Sequence, residues 1–189
     1  MIAPVTDNCP MARDMFVDSD VDPRTDPAPR DAEKETLVAF LTWQRDTLEL
    51  KCSGLTAAQL AARSVSPSTL SLLGLVRHLA GVETSWFRQV MAGQYVSRPF
   101  RSTADPDAEF TGAVADDAVV AAAFKAWHGE VAFAEKFVAA ASSLDIVGTH
   151  EHRGEISLRW VLVHMIEEYA RHLGHADLLR EAIDGATGQ

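Results

Sequence analysis

Between Ile156 and Ile183, apolar residues return every three or four positions, the period of one face of an α-helix. The stripe reads Leu158, Val161, Met165, Glu168, His172, His175, Leu179, and three consecutive members are ionisable. An ionised carboxylate among core side chains is strongly destabilising unless something neutralises it. A bound cation would do so. Glu168 and His172 stand at i, i+4, so a carboxylate oxygen and an imidazole nitrogen share one face, a turn apart, and can converge on one ion.

Three more long helical segments precede this one. The first is expected over 31–51, with an inner stripe of Leu37, Phe40, Leu41, Gln44 and Leu48, Asp31 placed to cap it and Gly54 just beyond. A short helical turn over 56–62 follows, where Thr56 and Gln59 match a capping box. The second long helix is expected over 69–92, with Leu72, Leu75, Leu79, Val82 and Trp86 inward and Ser71 and His78 beside them. The third runs over 116–142 on Val120, Phe124, Trp127, Val131 and Ala134. Residues 94–115 and 144–154 read as loops, and no strand-like alternation of useful length is found. Four amphipathic helices of such length predict an all-α four-helix bundle over residues 31–189. Residues 1–30, with five prolines and six aspartates, read as an extended or disordered tail in which Cys9, Met11, Met15 and Phe16 could dock locally.

A third ligand must come from another helix, and His78, mid-helix beside an apolar stripe, is the best candidate. Two histidines and one carboxylate with open positions suit Zn(II), and equally Fe(II) or Ni(II). Plainer readings stay open here: a lone inward histidine is commonly a hydrogen-bonded core residue, and a Glu/His pair at i, i+4 is ordinary salt-bridge chemistry. His164 is a fourth ligand, a supporting partner or a helix-flank residue. His175 is expected to hydrogen-bond a ligand or line the site mouth. Either could carry a proton. Glu83, Glu167 and Asp177 read as acceptors around the ligands or helix-face charges, Trp86, Trp127 and Trp160 as core aromatics, and His128, His150 and His152 as surface or loop residues.

A formal net charge of -10, with no Lys/Arg cluster, argues against nucleic acid or anionic lipid as a partner. There is no apolar run long enough to span a bilayer and no secretory leader, and two scattered cysteines make no disulfide framework. A reducing, cytoplasmic setting is expected.

The stretch Leu75-Val76-Arg77-His78-Leu79-Ala80-Gly81-Val82-Glu83, with Trp86 following, resembles the second helix of DinB-like proteins. His164-Met165-Ile166-Glu167-Glu168-Tyr169-Ala170-Arg171-His172-Leu173-Gly174-His175-Ala176-Asp177 resembles their fourth. Thr36-Leu37 through Trp43-Gln44-Arg45, then Cys52-Ser53-Gly54-Leu55-Thr56, is similar to one actinobacterial branch. The resemblance covers residues 33–186 and implies the DinB/YfiT bundle with up-down-down-up order. It implies a divalent metal, zinc or nickel, held by three residues of the second and fourth helices. In the branch of mycothiol-dependent maleylpyruvate isomerases those residues run His, then Glu-x-x-x-His, a pattern met by His78, Glu168 and His172. Thiol S-transferases using mycothiol or bacillithiol belong to this type, and homodimers are frequent. The expected partners are therefore a small-molecule electrophile, a low-molecular-weight thiol and a second copy of the chain. The chain ends at Gln189, short of the extra C-terminal domain of those isomerases, which points away from isomerase activity. Two rival readings are a metal-dependent hydrolase, with water at the open position, and a non-enzymatic metal-binding stress-response module.

Overall fold

The computed structural model describes residues 16–17 and 20–188. The expected docking of Cys9, Met11 and Met15 lies outside them. Six helices and one hairpin follow in order: α1 Glu33–Cys52, α2 Ala57–Leu60, α3 Leu72–Glu83, α4 Ala108–Thr111, α5 Asp117–Ala140, β1 Val147–His150, β2 Gly154–Ser157 and α6 Leu158–Asp184. A π-helical stretch, Thr84–Met91, continues α3 without a break. The long helices pack as a helical bundle in two pairs, α1 along α6 and α3 along α5, with α3 also touching α6.

Local chemistry accounts for most boundaries. Ser71 accepts from the Gly74 N–H and Ser157 from the Trp160 N–H, so side-chain oxygens start α3 and α6. Thr56 and Gln59 close the expected capping box of α2. Gly185, at φ +78°, ends α6 in the left-handed conformation that glycine adopts without steric cost. Asp31 does not cap α1: Ala32 occupies that position without a side-chain bond, and Asp31 offers only its carbonyl, to Thr36.

Several sequence expectations are corrected. The segment 144–154 is not all loop, and the last helix does not begin at Ile156, because β1 and β2 pair antiparallel with Gly148 opposite Ile156. A four-residue strand shows too few alternations to be read as one. Gly148 lies against the Val90 carbonyl, where a Cβ would come within 2.3 Å, so the hairpin is pressed onto the π-helical stretch. The 94–115 connection holds the turn of helix α4. Phe40 is 45 % exposed, and the buried positions of α1 are Leu41, Arg45, Thr47, Leu48, Lys51 and Cys52. On α6 the buried line passes through Met165, Tyr169, Leu173, Ala176 and Leu179, leaving Glu168, His172 and His175 on its flank. The reason is geometric: a straight helix of 3.6 residues per turn drifts about 20° per heptad away from a strict 3.5-residue stripe.

The buried line contains its own polar centre. Arg45 of α1 donates from Nε and Nη2 to the two oxygens of Glu83 at the end of α3, both at 2.8 Å. Tyr169 of α6 donates its hydroxyl to Glu83 Oε1 at 2.8 Å and accepts the indole N–H of Trp127, on α5, at 2.7 Å. One side chain from each long helix thus enters a single network, all of it buried. Burial pushes the Glu83 carboxyl above the usual carboxylate range, while Arg45 and the Tyr169 hydroxyl pull the other way. Glu83 is therefore a structural anion, not a partner of the histidines. Nearer the ends, Lys51 Nζ pairs with Asp177 at 2.7 Å and Arg180 donates to the carbonyls of Lys51 and Ser53, binding the end of α1 to α6. Arg24 pairs with Asp22, donates to Thr47 and lies over the Trp43 ring, fastening that stretch to α1.

Removing one member should separate charge from hydrogen bonding. Arg45→Met leaves a buried carboxylate without its cation and is expected to cost about 3–5 kcal/mol. Tyr169→Phe orphans the Trp127 N–H and one Glu83 bond and is expected to cost about 1–3 kcal/mol. Urea unfolding of both variants measures the order, and equal, sub-kilocalorie losses would show that the network carries no such weight.

Candidate metal centre

The π-helical stretch, the hairpin and the loop after Met91 surround a wide cleft of about 1690 Å³. His78 and Glu168 lie on its wall, from α3 and α6. One turn along α6, His172 faces His78 with ring centroids 4.7 Å apart. One ligand atom from each of His78, Glu168 and His172 lies within 4.8 Å of the others, the one such group of three or more among the described residues. Two ligands of one tetrahedral ion with bonds of about 2.0–2.2 Å stand about 3.3–3.6 Å apart. His172 Nε2 and Glu168 Oε2 already have that spacing, at 3.5 Å, and the set fits a divalent cation once the remaining donor closes by about an ångström. The carboxylate is not in a dry core: the Glu168 side chain is 27 % exposed, against 12 % for His172 and 20 % for His78. The expectation of a charge enclosed in apolar surroundings is corrected to a charge on a cleft wall, open on one side.

Each ring has a partner that bears on which nitrogen is free. His78 Nδ1 lies 3.0 Å from Glu109 Oε2, and a carboxylate only accepts, so Nδ1 carries the proton and Nε2 keeps its lone pair. His172 Nδ1 lies 3.4 Å from His175 Nδ1, while its Nε2 lies 3.5 Å from Glu168 Oε2. Glu168 likewise only accepts, so here His172 Nε2 donates to it while Nδ1 faces His175; holding an ion through Nε2 would require the ring proton to sit on Nδ1, toward His175 as its acceptor. Burial, then the neighbouring His172 and Arg171, push the His175 pKa down, which favours the neutral ring such an acceptor needs. The bond with His172 holds the Glu168 carboxyl below the usual range against its partial burial, with His164 and His78 adding to the pull.

Glu109 was not legible in the sequence. It is 2 % exposed, on the short helix α4, and its other oxygen meets the Arg98 guanidinium at 2.9 Å. Room for this pair comes from Gly81, three residues after His78. A Cβ there would come within 2.5 Å of Glu109 Oε1 and 2.8 Å of Arg98 Nε. Arg77 donates to the carbonyls of Glu109 and Ala108 and holds α4 in place. The only hint was a glycine inside a helix.

The other expected residues divide. His164 does belong to the cleft: its Nε2 is 3.4 Å from Glu168 Oε1, and its ring stacks on Trp160 at 4.9 Å and meets Trp86 edge-on at 4.7 Å. Trp86 and Trp160 are therefore not core aromatics like Trp127; Trp86 lines the cleft, and Trp160 is 38 % exposed. His150, expected in a loop, is on β1 and stacks on Trp86 at 5.4 Å. His128 is exposed and pairs with Glu49. Glu167 faces outward and pairs with Arg171, and Asp177 is taken by Lys51.

The family model described as mycothiol-S-transferase matches residues 36–185, which makes this chain a DinB-like protein, of the kind related to mycothiol-dependent enzymes. It belongs to that mycothiol-S-transferase family. No curated protein and no solved structure matches it.

Gly81→Ala tests the Glu109 support. Crowding of the Arg98–Glu109 pair is expected to cost about 1–3 kcal/mol, more than the helix-propensity gain of about 1 kcal/mol. Gly174→Ala, with nothing within 4 Å of its Cβ position, receives only the gain. Denaturant midpoints of the two variants should move in opposite directions.

Proposed function

We propose that this protein is a divalent-metal-dependent S-transferase that conjugates a low-molecular-weight thiol of the mycothiol type to an electrophile held in the cleft. His78 and His172 hold the ion through Nε2 and Glu168 through a carboxylate oxygen, with zinc the best match to the donor set. Such an ion supplies Lewis acidity that keeps a thiol deprotonated at neutral pH. Glu109 and His175 fix the two rings. His164, between the carboxylate and the aromatic wall, is the residue placed to accept the proton a thiol loses. The up-down-down-up order is part of the same proposal, supported by the α1–α6 and α3–α5 pairing.

The observation that carries this reading is the convergence of three donors within 4.8 Å of one another beside the cleft, in a chain of this family. A second observation supports a thiol brought in as co-substrate. Cys52, the cysteine of the described residues, is buried at the end of α1, and burial pushes its thiol up to about 12, so it is no nucleophile at neutral pH. A cleft of this volume admits a small thiol together with its acceptor.

The test is metal content and thiol conjugation by untagged protein. His172→Ala is expected to lose stoichiometric metal and turnover while circular dichroism stays helical. Glu109→Gln keeps all three ligands and is expected to weaken metal affinity about 10–100-fold. Undiminished metal in His172→Ala would remove the ligand assignment. Turnover of esters without added thiol would favour the hydrolase reading instead.

A further inference from the structure

The cleft has a second chemical character that the three donors do not explain. The chain is acidic, at -10, yet Arg98, Arg101 and Arg153 all line this cleft. Arg98 is committed to Glu109. The guanidiniums of Arg101 and Arg153 have no carboxylate partner among the described residues. Charges beyond about 8–10 Å are screened at physiological salt, so local groups rather than the net charge decide what enters.

Both arginines are held from behind. Arg101 follows Phe100, whose φ of +62° is a left-handed conformation costly for a bulky residue. The turn is held there by contacts of the residues just ahead of Arg101. The Phe100 ring lies under the Arg77 guanidinium at 4.2 Å, and Arg98 is tied to Glu109. Arg77 and Glu109 are the groups that seat α4 and His78, so the strained turn is built on the same support as the candidate metal corner. Arg153, at the hairpin tip, lies over the Trp160 ring at 5.4 Å. Trp160 stacks on His164, which reaches Glu168 at 3.4 Å. The second cation is thus linked to the same corner from the other side, through two stacked rings.

We propose that the acceptor substrate of this site is an anionic electrophile bearing a carboxylate away from its reacting carbon, and that Arg101 and Arg153 select it. This rests on the transferase reading. Guanidiniums bind carboxylates through paired N–H donors, and a planar acceptor can lie along the aromatic wall between them and the ligands. The reaction is ordinary displacement: the thiolate sulfur forms a bond to the carbon, the carbon–halogen bond breaks, and halide leaves with the electron pair. The thiol proton goes to His164 and from there to solvent.

The experiment compares 4-(chloromethyl)benzoate with 4-(chloromethyl)benzamide, a pair of like size differing in charge, using zinc-loaded protein and mycothiol. Wild type is expected to favour the anion at least tenfold in kcat/KM after correction for uncatalysed reaction. Arg101→Gln and Arg153→Gln should each lose about tenfold toward the anion and under twofold toward the amide, and the Lys variants should retain part of the preference. No wild-type preference, or equal losses on both substrates, overturns the proposal. If neither compound is turned over, the transferase reading has failed, and binding decides the selectivity separately. Quenching of tryptophan fluorescence by the unreactive 4-methylbenzoate should saturate in wild type and vanish in the double Gln variant. Absence of saturable quenching in wild type, or its persistence in that variant, also overturns the proposal.

Discussion

The fold turns on one buried anion. Glu83 receives two bonds from Arg45 and one from Tyr169, which in turn accepts from Trp127, so all four long helices meet at one carboxylate. Apolar packing tolerates sliding and rotation, because side chains of similar shape can exchange places at modest cost. A buried hydrogen-bonded charge does not, since any misregister leaves groups unsatisfied in a low dielectric. The network therefore sets rotation as well as attachment. Tyr169 points into it, and its neighbour Glu168 is thereby turned out to the cleft wall. His78 lies five residues before Glu83 on the same helix, so the anion fixes its facing too.

Around the candidate centre, support is stacked in depth. Gly81 makes space, Arg98 and Glu109 fill it, and Glu109 orients His78. His175 does the corresponding service for His172. Ligand rings with a defined tautomer lose less on binding an ion than rings free to turn, which is why such outer partners matter nearly as much as the donors. The π-helical stretch from Thr84 lies where α3 leaves the core and becomes cleft wall, bringing Trp86 and the Gln89 region to the opening. Wide helical turns of this type recur at functional sites because they re-aim side chains without ending the helix.

The helices were legible because each carries many turns of periodic apolar residues, and the capping box at Thr56 and Gln59 marks a local event. The His78, Glu168 and His172 grouping was legible because i, i+4 spacing on one helix is fixed by geometry, leaving one partner to find. What escaped depends on contacts between distant segments. Glu109 is a lone glutamate in a loop-like sequence, and only the fold carries it to a residue thirty-one positions away. The hairpin was too short to show alternation. Glu83 was read as an acceptor near the ligands or a helix-face charge because helical spacing shows that a residue points inward, not which of two interior partners it meets. The exposed flank of α6 was misjudged for a simpler reason: a heptad template was laid on a straight helix.

The contact between Gly148 and the Val90 carbonyl divides labour within the cleft. At that point the two backbones touch and no side chain can be inserted, so the base of the hairpin cannot wander. The tip beyond it, residues 150–153, is exposed apart from the stacked His150 and carries Arg153. Residues there can be exchanged, or the turn lengthened, without moving the base of the hairpin. A lineage built on this scaffold could vary the mouth of the cleft by editing a handful of codons, while the wall beneath it is inherited intact.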